Sequence, residues 1–95
     1  MNLVSKVFQA NAFSKATKKL SIPKKKQLDQ VVKKIISDPF LGEQKKGDLN
    51  HLQVYKFHMD NQLMLMGYTF DKKKNELTLI SWGSHENFYR DLKNK

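Results

Sequence analysis

Ninety-five residues make one domain, residues 1–95, that buries roughly 60–65% of its unfolded surface, enough for one sheet and the helices covering it. Its share of Leu, Ile, Val, Met and Phe excludes a disordered chain, and the lack of cysteine excludes disulfides and thiolate metal sites. Eighteen basic residues, all lysines except Arg90, oppose nine acidic ones; the net charge of +9 suits nucleic acid, an anionic membrane or an acidic protein partner.

The opening MNLVSKVFQA has no basic region leading into a long apolar stretch, so no signal peptide is expected. No apolar run approaches the roughly 20 residues that cross a bilayer. The expectation is a soluble, cytoplasmic protein.

Lys6 to Ala10 reads as a short edge strand. In NAFSKATKKL, Asn11 is a candidate N-cap, and Phe13, Ala16 and Leu20 share one helical face. Ser21 and Pro23 open a second helix, with Leu28, Val31, Val32, Ile35 and Ile36 spaced as the stripe of a helix lying on a core. Asp38-Pro39 ends it, because a residue before proline is pushed out of the helical region. Phe40 to Asn50 reads as loop, broken by Gly42 and Gly47 and carrying Lys45-Lys46.

Three strands follow, Leu52–Met59, Leu63–Phe70 and Glu76–Trp82, joined by short links at Asp60-Asn61-Gln62 and Asp71–Asn75 that suit antiparallel hairpins. LMLMGYTF is apolar on both faces and is therefore the central strand. SHENFYRDLK reads as a closing helix, with Ser84 as N-cap, Glu86 and Arg90 spaced as an ion pair, and Phe88 and Leu92 towards the core. The fold class is α+β: two N-terminal helices packed on a small antiparallel sheet, with a short C-terminal helix.

Strand alternation sets Leu52, Val54, Lys56 and His58 on one face, and Gln53, Tyr55, Phe57 and Met59 on the other. His85 and Tyr89, four apart, share a helix face. Lys45 and Lys46 lie in a loop able to fold over the same end of the sheet. Lysines, two imidazoles and a phenol suit RNA cleavage, where the ribose 2′-hydroxyl is the nucleophile and the protein supplies acid, base and cations. Histidine exchanges protons near neutral pH. Lysines follow a phosphate backbone, and exposed aromatics stack on unpaired bases.

Each residue also has a plainer reading. His58 suits a solvent-facing strand position, His85 a helix start, Tyr89 an amphipathic rim, and Arg90 the partner of Glu86. His51 reads as a loop residue, and Lys24–Lys26 and Lys72–Lys74 as solvated faces or hairpin tips. Three scattered histidines, without an HExxH motif or carboxylate cluster, argue against a metal site. Neither a glycine-rich phosphate loop nor a serine or cysteine triad motif is present.

The order helix, helix, KKGDLNHLQVYKFHM, LMLMGYTF, ELTLISWG, SHENFYRDLK resembles the RelE/ParE superfamily of bacterial toxins over nearly the whole chain. The resemblance implies a microbial-ribonuclease-like fold, cleavage of mRNA in the ribosomal A site without metal or cofactor, and a partner antitoxin. Lys56 matches the family's first basic strand residue, and His58 stands where a second basic group often lies. His85 matches the catalytic His or Arg after the last strand's glycine, and Tyr89 the aromatic that closes the site. Lys45 and Lys46 fall in a loop that is often basic.

One departure stands out. Many members carry an arginine on the central strand shortly before its tyrosine, where this chain has Met64, Leu65 and Met66. Lysines, as point charges rather than bidentate forks, would then carry the transition-state charge. The resulting expectation is a ribosome-dependent endoribonuclease, with His85 as principal acid–base residue and Lys56 and His58 as phosphate or proton-transfer groups. Tyr89 would position or stack, while Lys45, Lys46 and Arg90 would anchor RNA. The rivals are a ParE-like toxin that inhibits DNA gyrase without cutting RNA, and a plain RNA-binding module.

Overall fold

The computed structural model describes residues 4–45 and 51–93, with side chains through Arg90. Along the chain run strand β1 (Lys6–Gln9), helix α1 (Asn11–Lys18), helix α2 (Ile22–Ser37), strand β2 (Glu43–Gln44), strand β3 (Gln53–Met59), strand β4 (Gln62–Asp71), strand β5 (Glu76–Ser84) and helix α3 (His85–Lys93). They build a five-stranded sheet in the order β1-β5-β4-β3-β2. The α+β plan holds, and β4 is central. The β3–β4–β5 meander is antiparallel, and β1 adds to β5 in parallel.

On α2, Leu28, Val31 and Ile35 are buried against the sheet, each contributing about 1.5–3 kcal/mol. Asp38 leaves helical geometry at φ −150°, as the following proline requires. Phe13 anchors α1 in the same core, and the Trp82 indole donates to Thr17 Oγ1 at 3.1 Å. Ala10, not Asn11, is the N-cap of α1, its N–H bonded to Leu79 O while the chain is still strand-like; Asn11 is the first helical residue. At the other end of α2, Lys24 meets Asp60 at 3.7 Å, a half-exposed pair worth at most about 1 kcal/mol.

Both hairpins rest on residues that tolerate positive φ. Asp60 and Asn61 (φ 51° and 67°) form a two-residue turn between the paired Met59 and Gln62. Asn75 (φ 56°) closes the second, whose Asp71 Oδ1 accepts from the Lys73 and Lys74 N–H groups. A bulge at Gly67/Tyr68 pairs Gly67 with Ser81 but Tyr68 with Leu79. The extra residue, Ile80, turns to the face opposite α1 and α2 and joins a second small core of Leu52, Val54, Leu65 and Phe88. The expected loop at 40–50 contains β2, which pairs only with Gln53 and Val54 among the described residues. Lys46 lies outside the described residues, as does the side chain of Leu92. Among the described residues, no helix is long and apolar enough to cross a membrane.

The bend between α2 and β2 is fixed by one buried phenol. Tyr68, fully buried on β4, donates to Pro39 O at 2.8 Å and accepts from the Gly42 N–H at 2.8 Å. A Cβ at residue 42 would stand 2.8 Å from that hydroxyl, so glycine permits the approach. Burial raises the Tyr68 pKa above its ordinary 10.0. Tyr68→Phe orphans both partners and is expected to cost about 1–3 kcal/mol, a fall of about 4–8 °C in melting temperature per kcal/mol for a chain of this size. Because the folded pKa is raised, the tyrosine protein also loses stability as pH climbs past 10.0 towards the folded value, and the phenylalanine variant lacks that share of the loss. Thermal melts at neutral and alkaline pH read both effects.

Candidate active site

The sheet face carrying Leu52, Val54, Lys56 and His58 changes character along β3. Leu52 and Val54 are buried under α3, whereas Lys56 and His58 are exposed beyond its cover. Cross-strand pairing aligns Lys56 with Leu65 and Leu65 with Gly83, so the Lys56 and Gly83 backbones lie about 10 Å apart, two strand spacings. His85 follows two residues later as the first residue of α3. Ser84 Oγ caps the helix by accepting the Asn87 N–H at 3.4 Å.

Glycine sets the height of α3. A Cβ at Gly67 would stand 2.7 Å from Phe88 Cζ and 3.2 Å from Leu52 Cδ1; without one, Phe88 rests on the central strand and is 2% exposed. Seating Phe88 turns its neighbours along the helix. The Tyr89 ring meets Phe88 edge-on at 5.2 Å and His85 at 5.5 Å, and His85 itself is exposed. Lys45 Nζ lies 5.6 Å from the Tyr89 ring centre. A hydrogen bond to Tyr89 raises the Lys45 pKa above its ordinary 10.5 against the opposing effect of burial, and the Glu43 carboxylate adds to the rise. Lys45 is therefore a fixed cation at neutral pH, unfit as a base.

A groove of about 250 Å³ at the β2–β3 edge is lined by Leu41, Glu43, Lys45, Val54, Tyr55 and Lys56. Lys56, Lys45, Tyr89 and His85 thus follow one another across one side of the molecule. His58 shares the Lys56 face but also lines a neighbouring groove of about 470 Å³ with Gln27, Gln30 and Lys34 of α2. Arg90 is exposed, two residues and so about 200° around the helix from buried Phe88. It donates to Asn87 Oδ1 rather than pairing with Glu86. His51 is an exposed turn residue. Among the described residues no His, Asp and Glu side chains gather as a metal site.

Glu43 is the group that sequence reasoning missed, because the segment reads as loop and its place depends on pairing with β3. The departure on the central strand also has a place: Met64 and Met66 face the helical core, and Leu65, fully buried in the second small core, pairs with Lys56 on one side and Gly83 on the other.

Residues 7–93 match the model of the ParE-like toxin of type II bacterial toxin–antitoxin systems. The chain belongs to that toxin family. Among solved structures, the toxin resembles an arginine-to-alanine double mutant of Escherichia coli RelE in the free state, with a TM-score of 0.69, 16% identity and coverage of 99% of this chain and 98% of that one. It also resembles a chain of the intact E. coli RelBE toxin–antitoxin complex (TM-score 0.64, 18% identity, 82% and 93% covered). A third likeness is to the conserved hypothetical protein HP0892 of Helicobacter pylori (TM-score 0.56, 22% identity, 87% and 97% covered). At these identities the likeness is one of fold. No curated protein matches the toxin by sequence.

Gly67→Ala is expected to lift Phe88 and cost about 1–3 kcal/mol, as overpacking does. The His85 and Tyr89 ring resonances should shift with it. Gly83→Ala is the control, since its added methyl would meet no atom closer than the Phe88 N at 4.0 Å. Chemical denaturation and NMR of the two variants compare them directly.

Proposed function

We propose that the toxin is an endoribonuclease that cuts messenger RNA on the ribosome without a metal or cofactor. The observation that carries this reading is one open groove lined by Lys56, Glu43 and Lys45, with Tyr89 against Lys45 and His85 against Tyr89. In the proposed step the ribose 2′-oxygen attacks the adjacent phosphorus. The 2′–P bond forms as the bond to the 5′-oxygen breaks, leaving a 2′,3′-cyclic phosphate and a 5′-hydroxyl. Glu43 takes the proton from the 2′-hydroxyl, and His85, as the general acid, gives one to the departing 5′-oxygen.

Lys45 and Lys56 hold the charge that builds on the phosphoryl oxygens. Tyr89 keeps Lys45 in place and offers a ring edge to the RNA. His58, on the same face, is a second proton-transfer or phosphate group, and Lys46 and Arg90 are outlying RNA anchors. Acting on mRNA places the toxin in the cytoplasm. Its family implies a cognate antitoxin. An acidic or amphipathic antitoxin segment laid over the basic face would silence the groove, and the E. coli structure that pairs RelE with RelB is consistent with such a partner.

Purified toxin, ribosomes and mRNA should yield cyclic-phosphate ends. His85→Ala and Glu43→Gln are each expected to slow cutting about 10²–10⁴-fold. Full cutting by the His85 variant would remove the assignment.

A second reading, a toxin that inhibits DNA gyrase and leaves RNA intact, is favoured by Leu65, which puts an aliphatic side chain between Lys56 and Gly83. Fold alone does not separate the two. Induction in bacteria does: cut mRNA and arrested translation mark the nuclease, and accumulating DNA breaks mark the rival.

A further inference from the structure

The bend that joins α2 to β2 exposes two adjacent large apolar side chains, Phe40 at 48% and Leu41 at 44%. Neither is there because the chain is loose. The Phe40 N–H is bonded to Asp38 Oδ1 and the Leu41 N–H to Asp38 O, both at 3.1 Å. The Tyr68 hydroxyl holds the residues on either side, Pro39 and Gly42. A backbone pinned at four points keeps two apolar groups in water, an arrangement that marks a contact surface.

The surroundings define the contact. The Phe40 ring stands edge-on against Phe70 at 5.7 Å, and Lys72 Nζ lies 5.4 Å from its centre. Lys72, Lys73 and Lys74, all exposed, crown the adjoining hairpin. Leu41, next in the chain, lines the groove that also holds Lys45 and Lys56. An aromatic ring beside ammonium groups, continuous with a basic groove, is the pattern that takes single-stranded nucleic acid: the ring stacks on a base while the cations meet phosphate.

We propose that Phe40 and Lys72 form an accessory subsite for single-stranded RNA. It receives an unpaired base from the strand whose scissile phosphate lies between Lys45 and Lys56. This rests on the nuclease reading and extends it from the point of cleavage to the path of the strand. Because stacking accepts any base, the subsite contributes affinity and positioning with little sequence preference.

The test measures binding of a fluorescein-labelled single-stranded RNA oligonucleotide to full-length toxin carrying His85→Ala, followed by anisotropy. Adding Phe40→Ala is expected to weaken binding roughly 5- to 150-fold, the range of one stacked base. Phe40→Trp restores it, and Lys72→Ala lowers the salt dependence by about 0.7 in log–log slope. Thermal melts confirm that the variants fold. Unchanged affinity in Phe40→Ala overturns the subsite, while cutting by the same substitution in the active toxin keeps the nuclease reading. Wild-type toxin that neither binds the oligonucleotide nor cuts mRNA on ribosomes removes both. Loss of an acidic antitoxin peptide with RNA binding intact makes the patch a protein-docking surface and overturns the proposal.

Discussion

The bare backbone of Gly67, on which the Phe88 ring lies, is the contact from which the site takes its geometry. A sheet with helices on only one face would leave Leu52, Val54, Leu65 and Ile80 in water. The last helix covers them with the Phe88 ring, flanked by Tyr89, and only a residue without a side chain lets that ring come close enough. Burying such a ring is worth about 1.5–3 kcal/mol. That is a large share of the stability of a small domain, so the position of α3 is set by packing rather than by its own helical tendency. His85 and Tyr89 inherit their places from it.

A second constraint acts from the far side of the sheet. Tyr68 points away from the site, yet its hydroxyl fixes the bend that leads into β2 and so the approach of Glu43 and Lys45 to β3. The two anchors are neighbours on the central strand, one a missing side chain and the other a buried phenol. Between them they bring together two segments about forty residues apart (45 and 85 in the chain). The electrostatics follow. Lys45, clasped by Tyr89, remains an ammonium beside the Glu43 carboxylate.

The sequence was legible where structure depends on local pattern. The stripe of α2, its proline start and stop, the two hairpins and the doubly apolar β4 were all read from spacing and turn chemistry. Lys56, His85 and Tyr89 could be nominated because alternation and helical spacing assign a face. What escaped depends on partners distant in the chain. The parallel addition of β1, the two-residue β2 and the bulge that turns Ile80 across the sheet arise from pairings that no short window contains. Glu43 was missed for that reason. Arg90 illustrates a different failure: its spacing from Glu86 allowed a pair, but Asn87, one turn away on the same helix, offered a nearer acceptor.

The shortness of β2 has a consequence for how the molecule behaves in a crowd. Its pairing stops at Val54, and along the rest of that rim β3 presents Lys56 and His58 to solvent. An uncovered strand margin is where identical chains stitch together into aggregates, and ammonium groups set along it repel such neighbours. The lysine proposed to grip phosphate therefore also keeps copies of the toxin apart. Neutralising it with an aliphatic residue would exchange a charged rim for a sticky one.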